Sequence, residues 1–236
     1  MTLNEARRIL DAVFDVADRI KTLHLTGGGE PFLHNALPEL VDSCMAYSER
    51  FEKLMLFTNS TVPVSDLLLE RLKHHREKIL VQISCYGIQK EREAELVRLL
   101  KENEIPSKVE KYYGEEQAFG GWVDFGPWER RGRSLDKLEK VFRSCAVTRD
   151  MRGNWRTRDG KVHWCSRSQR GMELDLIPDD SSCYVDLFDD TSREEKRDRF
   201  LSIARAKNIS ACDFCSGDQG TDDISKRFQA AEQFEF

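Results

Sequence analysis

Four of the seven cysteines have the spacing of a metal site. Cys145 and Cys165 stand on either side of an Asp159-Gly160 turn signal, with Gly160 five positions before Cys165, and Cys212 and Cys215 form a Cys-x-x-Cys after a helical stretch. Two cysteines around a hairpin and a terminal Cys-x-x-Cys make a four-thiolate set, suited to zinc or to an iron–sulfur cluster. Nineteen residues separate the first pair, which departs from the two close pairs of a zinc ribbon. The same residues also admit a redox dithiol at Cys212 and Cys215, or four unrelated buried thiols. Cys44, on the apolar side of a helix, and Cys85, at a strand end, read as structural thiols. Cys183 reads as a loop cysteine and a substitute ligand.

A second chemistry-bearing stretch is "LHLTGGGEP" (23–31), a short apolar strand running into three glycines, an acid and a proline. Bare backbone of this kind lets carbonyl oxygens approach a ligand's ammonium group closely. Glu30 stands ready either to add an acceptor or to brace the loop. A phosphate loop does not fit, because no Gly-Lys-Ser/Thr follows.

The elements that must position these residues are legible from periodicity. Thr2 and Glu5 form a capping box ahead of Ala6, Ile9, Leu10, Val13 and Ala17 at helical spacing. Strands are expected near 22–26, at 53–59, 78–87 and 106–114. Helices are expected around Leu37 to Cys44, at 64–73 and at 89–103. Strands alternating with such helices predict βαβ units and a parallel sheet, with function gathered after the carboxyl ends of the strands. "TGGGEP", "TNS" and "SCYG" all fall there, which predicts one shared site. Beyond residue 114 the pattern changes. The spacing predicts a short strand with loop over 119–134, a helix from Ser134 to Phe142, and a hairpin over 154–168. Ser192 and Glu195 form a second capping box, before a helix whose apolar side is Phe200, Leu201 and Ala204. Residues past about 218 read as a loose polar tail.

Composition bounds the class. Hydrophobic residues make up 39% and charged residues 33%, the balance of an ordinary soluble domain. No apolar run approaches the roughly 20 residues that cross a bilayer, and the first residues lack the pattern of a signal peptide, so a cytoplasmic protein without a membrane partner is expected. The net charge of −5 is unevenly spread: residues 129–170 carry 13 Lys/Arg against 5 Asp/Glu, and residues 171–236 carry 8 against 16. The basic block suits an anionic cofactor or a phosphorylated substrate, or a plain solvated face, and it lacks a nucleic-acid-binding motif. Arg and Lys near a four-thiolate cluster would stabilise its negative charge and raise its potential.

Taken together, the motifs resemble those of radical S-adenosylmethionine enzymes. "LHLTGGGEP" resembles their Gly-Gly-Glu-Pro stretch, "LFTNS" a strand end that is usually Thr-Asn-Gly, and "VQISCYG" a strand that often carries Ser-hydrophobic-Asp. The spacing C-x14-G-x4-C followed by C-x2-C resembles the Twitch domain, the shorter relative of SPASM domains. The resemblance covers about residues 3–217. It implies a truncated partial (β/α) barrel over 1–134, a Twitch-like hairpin-plus-helix domain over 135–218 and a tail over 219–236. It implies that Gly28, Gly29, Glu30 and Pro31 take the methionyl amino end of S-adenosylmethionine, that Asn59 and Ser84 belong to the same cofactor site, and that Cys145, Cys165, Cys212 and Cys215 hold an auxiliary [4Fe–4S] cluster.

The family's Cys-x3-Cys-x2-Cys motif is absent from this chain. The expectation is a relative lacking the preceding strand and cluster loop, about 20–40 residues. At the position after Ser84 the chain has Cys85 and Tyr86, where many relatives have a residue followed by Asp. The activity implied is hydrogen-atom abstraction from a sugar-like or peptide substrate by a 5′-deoxyadenosyl radical. A flavodoxin or ferredoxin would donate electrons, and the auxiliary cluster would accept one. The competing expectation is an iron–sulfur or zinc-binding scaffold without catalysis.

Overall fold

The computed structural model describes residues 1–118, 121–151, 155–218 and 227–228. They form two compact units, Met1–Gly121 and Trp122–Phe228.

The first unit opens on helix α1 (Leu3–Val16), whose capping box is present in full: Thr2 accepts from Glu5 N–H while Glu5 accepts from Thr2 N–H. Strands β1 (Ile20–Leu25), β2 (Phe51–Thr58), β3 (Ile79–Cys85) and β4 (Ser107–Lys111) form one parallel sheet in the order β1-β2-β3-β4. Helices α2 (Leu37–Met45), α3 (Asp66–His74) and α4 (Lys90–Glu102) connect them in turn. The unit is therefore a mixed α/β fold built on a four-stranded parallel sheet.

Alternation along the strands sorts the two faces. Leu54 and Leu56, with Ile79, Val81 and Ile83, join a core made with Ala6, Leu10 and Phe14 of α1, Val41 and Cys44 of α2, Leu72 of α3 and Leu100 of α4. Register places the other residues on the opposite face: His24 beside Met55, Phe57 beside Gln82, and Ser84 beside Glu110. That face is polar and aromatic. The Glu110 carboxylate is buried there and accepts from Gln82 Nε2 (2.6 Å) and the Tyr112 hydroxyl (2.7 Å), with Lys108 as its ion-pair partner.

The second unit holds helices α5 (Leu135–Ser144), α6 (Ala146–Arg149), α7 (Ser166–Glu173) and α8 (Arg193–Ala204). Its strands are β5 (Trp122–Val123), β6 (Arg156–Arg158), β7 (Lys161–His163), β8 (Tyr184–Asp186) and β9 (Arg227–Phe228). β6-β7-β8 form an antiparallel sheet, and β5 pairs with β9. The core gathers Phe142, Trp164, Ile177, Val185, Ile203 and Phe214. Trp155 stands edge-on to Trp164 (5.0 Å) and to Phe200 (5.1 Å).

The hairpin turns at Asp159 and Gly160, both with positive φ (49° and 83°), as a two-residue primed turn requires. A Cβ on Gly160 would lie 2.2 Å from the Phe188 ring. Gly160→Ala therefore meets both backbone strain and a rigid aromatic neighbour, and should destabilise the protein by about 2–4 kcal/mol. A lowered urea midpoint with an unchanged slope is the expected reading, and an unshifted midpoint would count against this packing.

Several expectations change. The hairpin is confined to β6 and β7. Residues from Ser166 are helical, because the Cys165 backbone is still extended (φ −149°, ψ 165°) and the chain turns into α7 only after it. The inner side of α8 is Lys196, Phe200 and Ile203, while Leu201 is 48% exposed. The unit boundary falls at Gly121–Trp122 instead of after residue 134, because residues 125–133 bond to 213–216: Ser216 N–H donates to Phe125 O (2.8 Å) and Arg131 N–H to Asp213 O (3.0 Å). Of the expected tail, 219–226 and 229–236 lie outside the described residues, and Arg227 and Phe228 pair with β5. Among the described residues no helix is long and apolar enough to cross a membrane.

Candidate functional site

Two constellations carry chemistry, one in each unit. In the first, the glycine loop follows the carboxyl end of β1. Gly29 has φ +125°, a conformation that L side chains rarely adopt, and a Cβ at Gly28 or Gly29 would meet nothing within 4 Å. The loop is thus bare backbone bordered by open space. Glu30 caps a short 3₁₀ turn, Pro31–Leu33, with Pro31 at its first position. Glu30 Oε1 accepts from Phe32 N–H (3.0 Å), and Oε2 accepts from Asn59 N–H (2.7 Å). Of its two sequence-derived roles, the brace is the one these bonds make.

Asn59 Oδ1 in turn accepts from Thr61 N–H (3.0 Å) and the Thr61 hydroxyl (2.6 Å), fixing the loop after β2. The loop after β3 joins through Tyr86. Burial raises its phenol, the Glu30 charge raises it further, and a hydrogen bond with Ser84 opposes both. Of the three strand ends expected to share one site, those after β1 and β2 are joined by the Glu30–Asn59 bond, and the Glu30 charge is felt at Tyr86 after β3. The Gln82–Glu110–Tyr112 network has no sequence signal, since Gln82 lies 28 positions from Glu110 and only strand register brings them together.

Glu30→Ala leaves the Phe32 and Asn59 N–H groups without acceptors. The half-buried setting moderates the cost to about 1–2 kcal/mol. Urea unfolding should show that loss for alanine and less of it for Glu30→Gln, which keeps one oxygen. Equal losses for the two would rule out the brace.

In the second unit Cys212 and Cys215 bracket the end of a 3₁₀ segment, Ser210–Phe214. Arg133 donates to the carbonyls of both (2.7 and 2.8 Å). Asp213, between them, accepts from Gly132 N–H (3.1 Å), Arg133 N–H (2.9 Å) and Arg130 Nε (3.3 Å). Gly217 N–H points at Cys215 Sγ (3.2 Å) and Asp218 N–H at Cys145 Sγ (3.4 Å), so the Cys-x-x-Cys segment wraps back onto Cys145. Cys165 ends the strand-turn that leads into α7, with its thiol 3.8 Å from the Ser168 hydroxyl.

The four thiols act on one another. Burial pushes Cys165 up to about 11, Ser168 opposes this, and the charges of Cys215 and Cys145 add to it. Burial also raises Cys212, which feels Cys165, Cys215 and Cys145. Cys215 is raised by burial and lowered by Gly217 N–H, Arg167 and Arg131, with Cys145 raising it. The four sulfurs thus occupy one electrostatic neighbourhood, ringed by backbone donors and arginines. Arg130, Arg131 and Arg133 of the basic block clamp the segment that carries two of these thiols.

No group of three or more His, Cys, Asp or Glu among the described residues is placed to hold a single metal ion. Four sulfurs around one zinc must stand about 3.8 Å apart, as Zn–S bonds near 2.3 Å require. Sulfurs that each bind a different iron of a cluster stand wider apart. The donor set is all sulfur, with N–H groups aimed at two of the thiols. Among the described residues the buried Arg156 Nε and Trp164 Nε1, on the hairpin and beside Cys165, have no hydrogen-bond acceptor.

The remaining cysteines form no disulfide. Cys44 is buried, which pushes its thiol up to about 12. Cys183 is fully buried, and its thiol lies 3.3 Å from the Ser210 hydroxyl. No protein-family model matches the chain, and no curated protein sequence matches it.

Proposed function

We propose that the chain is a radical S-adenosylmethionine-type protein in which Cys145, Cys165, Cys212 and Cys215 hold an auxiliary [4Fe–4S] cluster. The observation that carries this reading is the meeting of four thiols from three separate stretches in one electrostatic neighbourhood, with Gly217 and Asp218 N–H groups directed at two of them. The strand order β1-β2-β3-β4 never reverses, which is the progression of a barrel wall and supports a partial barrel over a doubly wound sheet. The glycine loop supports the cofactor half of the reading. Its carbonyls and the open space at Gly28 and Gly29 suit the amino end of S-adenosylmethionine, while Glu30 holds the loop to Asn59 and in reach of Tyr86.

In this reading the cluster supplies one-electron chemistry at the second unit. The substrate is a small molecule or peptide bearing an abstractable hydrogen, and the electron donor is of the flavodoxin or ferredoxin kind. The second reading is a cluster-binding scaffold without catalysis.

Anaerobic purification tests both readings. About four irons and four sulfides per chain are expected. Colourless, zinc-loaded protein would remove the iron–sulfur reading. Calorimetric binding of S-adenosylmethionine that is lost in Gly29→Val would support the cofactor loop. Iron without any such binding would leave the scaffold reading standing.

A further inference from the structure

Among the described residues Arg156 is a cation without a counterion. It lies on β6, opposite His163 in the hairpin register. Its Nε is buried and bonds to nothing, and no carboxylate pairs with it among the described residues. Leaving a guanidinium donor dry and unpaired is costly, so structures retain such a group where an anion completes it. The charge that reaches Arg156 is that of Cys165, two residues beyond His163. No acid of the second unit's ion pairs serves it: Glu173 pairs with Arg158 and Arg170, Asp179 with Lys161, and Asp213 with Arg130. Arg131 and Arg167, the other cations felt by these thiols, are held by backbone carbonyls or the Ser216 hydroxyl.

We propose that Arg156 is the charge partner of the anionic centre held by Cys145, Cys165, Cys212 and Cys215, its Nε–H directed to that centre and its charge holding the centre's reduction potential up. The proposal rests on the reading of these four thiols as cluster ligands and adds a positioning residue to it. A nearby cation favours the oxidised centre less than the reduced one, because reduction adds negative charge. Removing it makes reduction harder.

The test is a redox titration of the anaerobically loaded full chain, followed by paramagnetic resonance, with iron per chain measured alongside. Arg156→Gln should make one-electron reduction about tenfold less favourable, a potential about 59 mV more negative. Arg156→Lys should recover at least half of that shift, since it keeps the charge and loses only the planar fork. Full iron with an unchanged potential in Arg156→Gln overturns the proposal, as does a lysine variant shifted as far as the glutamine one. If Arg156→Gln fails to hold iron, full loading of Arg156→Lys supports a charge role, and loss in both variants overturns it. Wild-type protein that holds no iron overturns the cluster reading itself, and this proposal with it.

Discussion

Replacing Cys212 and Cys215 together by serine should take bound iron from about four per chain to near zero. Both thiols sit on a segment that Arg133 fastens by its carbonyls, so the substitution removes two donors without releasing the backbone that carried them. Serine cannot replace them, because the ligand must be an anion and a hydroxyl gives up its proton far less readily than a thiol. Stability should fall with the iron. A centre present at only 100 times its dissociation constant contributes about 2.7 kcal/mol, and for a unit near 100 residues that corresponds to a Tm lower by roughly 10–20 °C. The control is Cys183→Ser. Cys183 meets Ser210 and belongs to the apolar core, so that variant should keep its iron. Iron retained in the double variant, or lost only with Cys183, would move the centre elsewhere.

What could be read in advance followed the kind of signal each element emits. The two capping boxes, the alternation of β1 to α4 and the Asp159-Gly160 turn are local codes, and each stands where its residues placed it. α7 emits no such code. The residues it buries are Arg167, Ser168 and Gly171, so its inner side is polar and no apolar stripe marks it. Arg167 is buried because its guanidinium stacks 3.4 Å over Trp128 and bonds the carbonyls of Gly126, Pro127 and Phe214, partners about 40 residues away in either direction. α8 misleads in the opposite sense. Leu201 is apolar yet exposed, whereas Lys196 turns inward to bond Asp189 O (2.8 Å).

The candidate sites divide the same way. Cysteine and glycine spacing marked the candidate ligands and the loop, since those residue types are scarce and their intervals carry meaning. The residues that hold them in place, Asp213, Arg133 and the Glu30–Asn59 bond, are common types, and only long-range contact gives them their roles. A basic run at 130–133 reads as surface charge or an anion site until the acid 80 residues later is seen beneath it.

That acid gives the second large effect. Asp213→Ala should destabilise the protein by about 2–4 kcal/mol, a Tm fall on the order of 10–20 °C. Asp213 is 6% exposed, and its carboxylate closes the 130–133 turn through two backbone N–H groups and Arg130. Truncation leaves those part-buried N–H groups without their acceptor, with the Arg133 fork no longer aimed at Cys212 and Cys215. Asp213→Asn keeps one acceptor oxygen and should lose only about 1–2 kcal/mol. Arg130 is largely exposed, so Arg130→Ala should cost less than about 1 kcal/mol. The ordering of these three variants separates a backbone clamp from a salt bridge. If the ion pair were the main contribution, Arg130→Ala and Asp213→Asn would match Asp213→Ala. If the clamp is, alanine at 213 alone is severe, and iron measured at a temperature where that variant is still folded should fall with it. The turn would no longer present the Cys-x-x-Cys carbonyls to Arg133, and the spacing of the two thiols would relax.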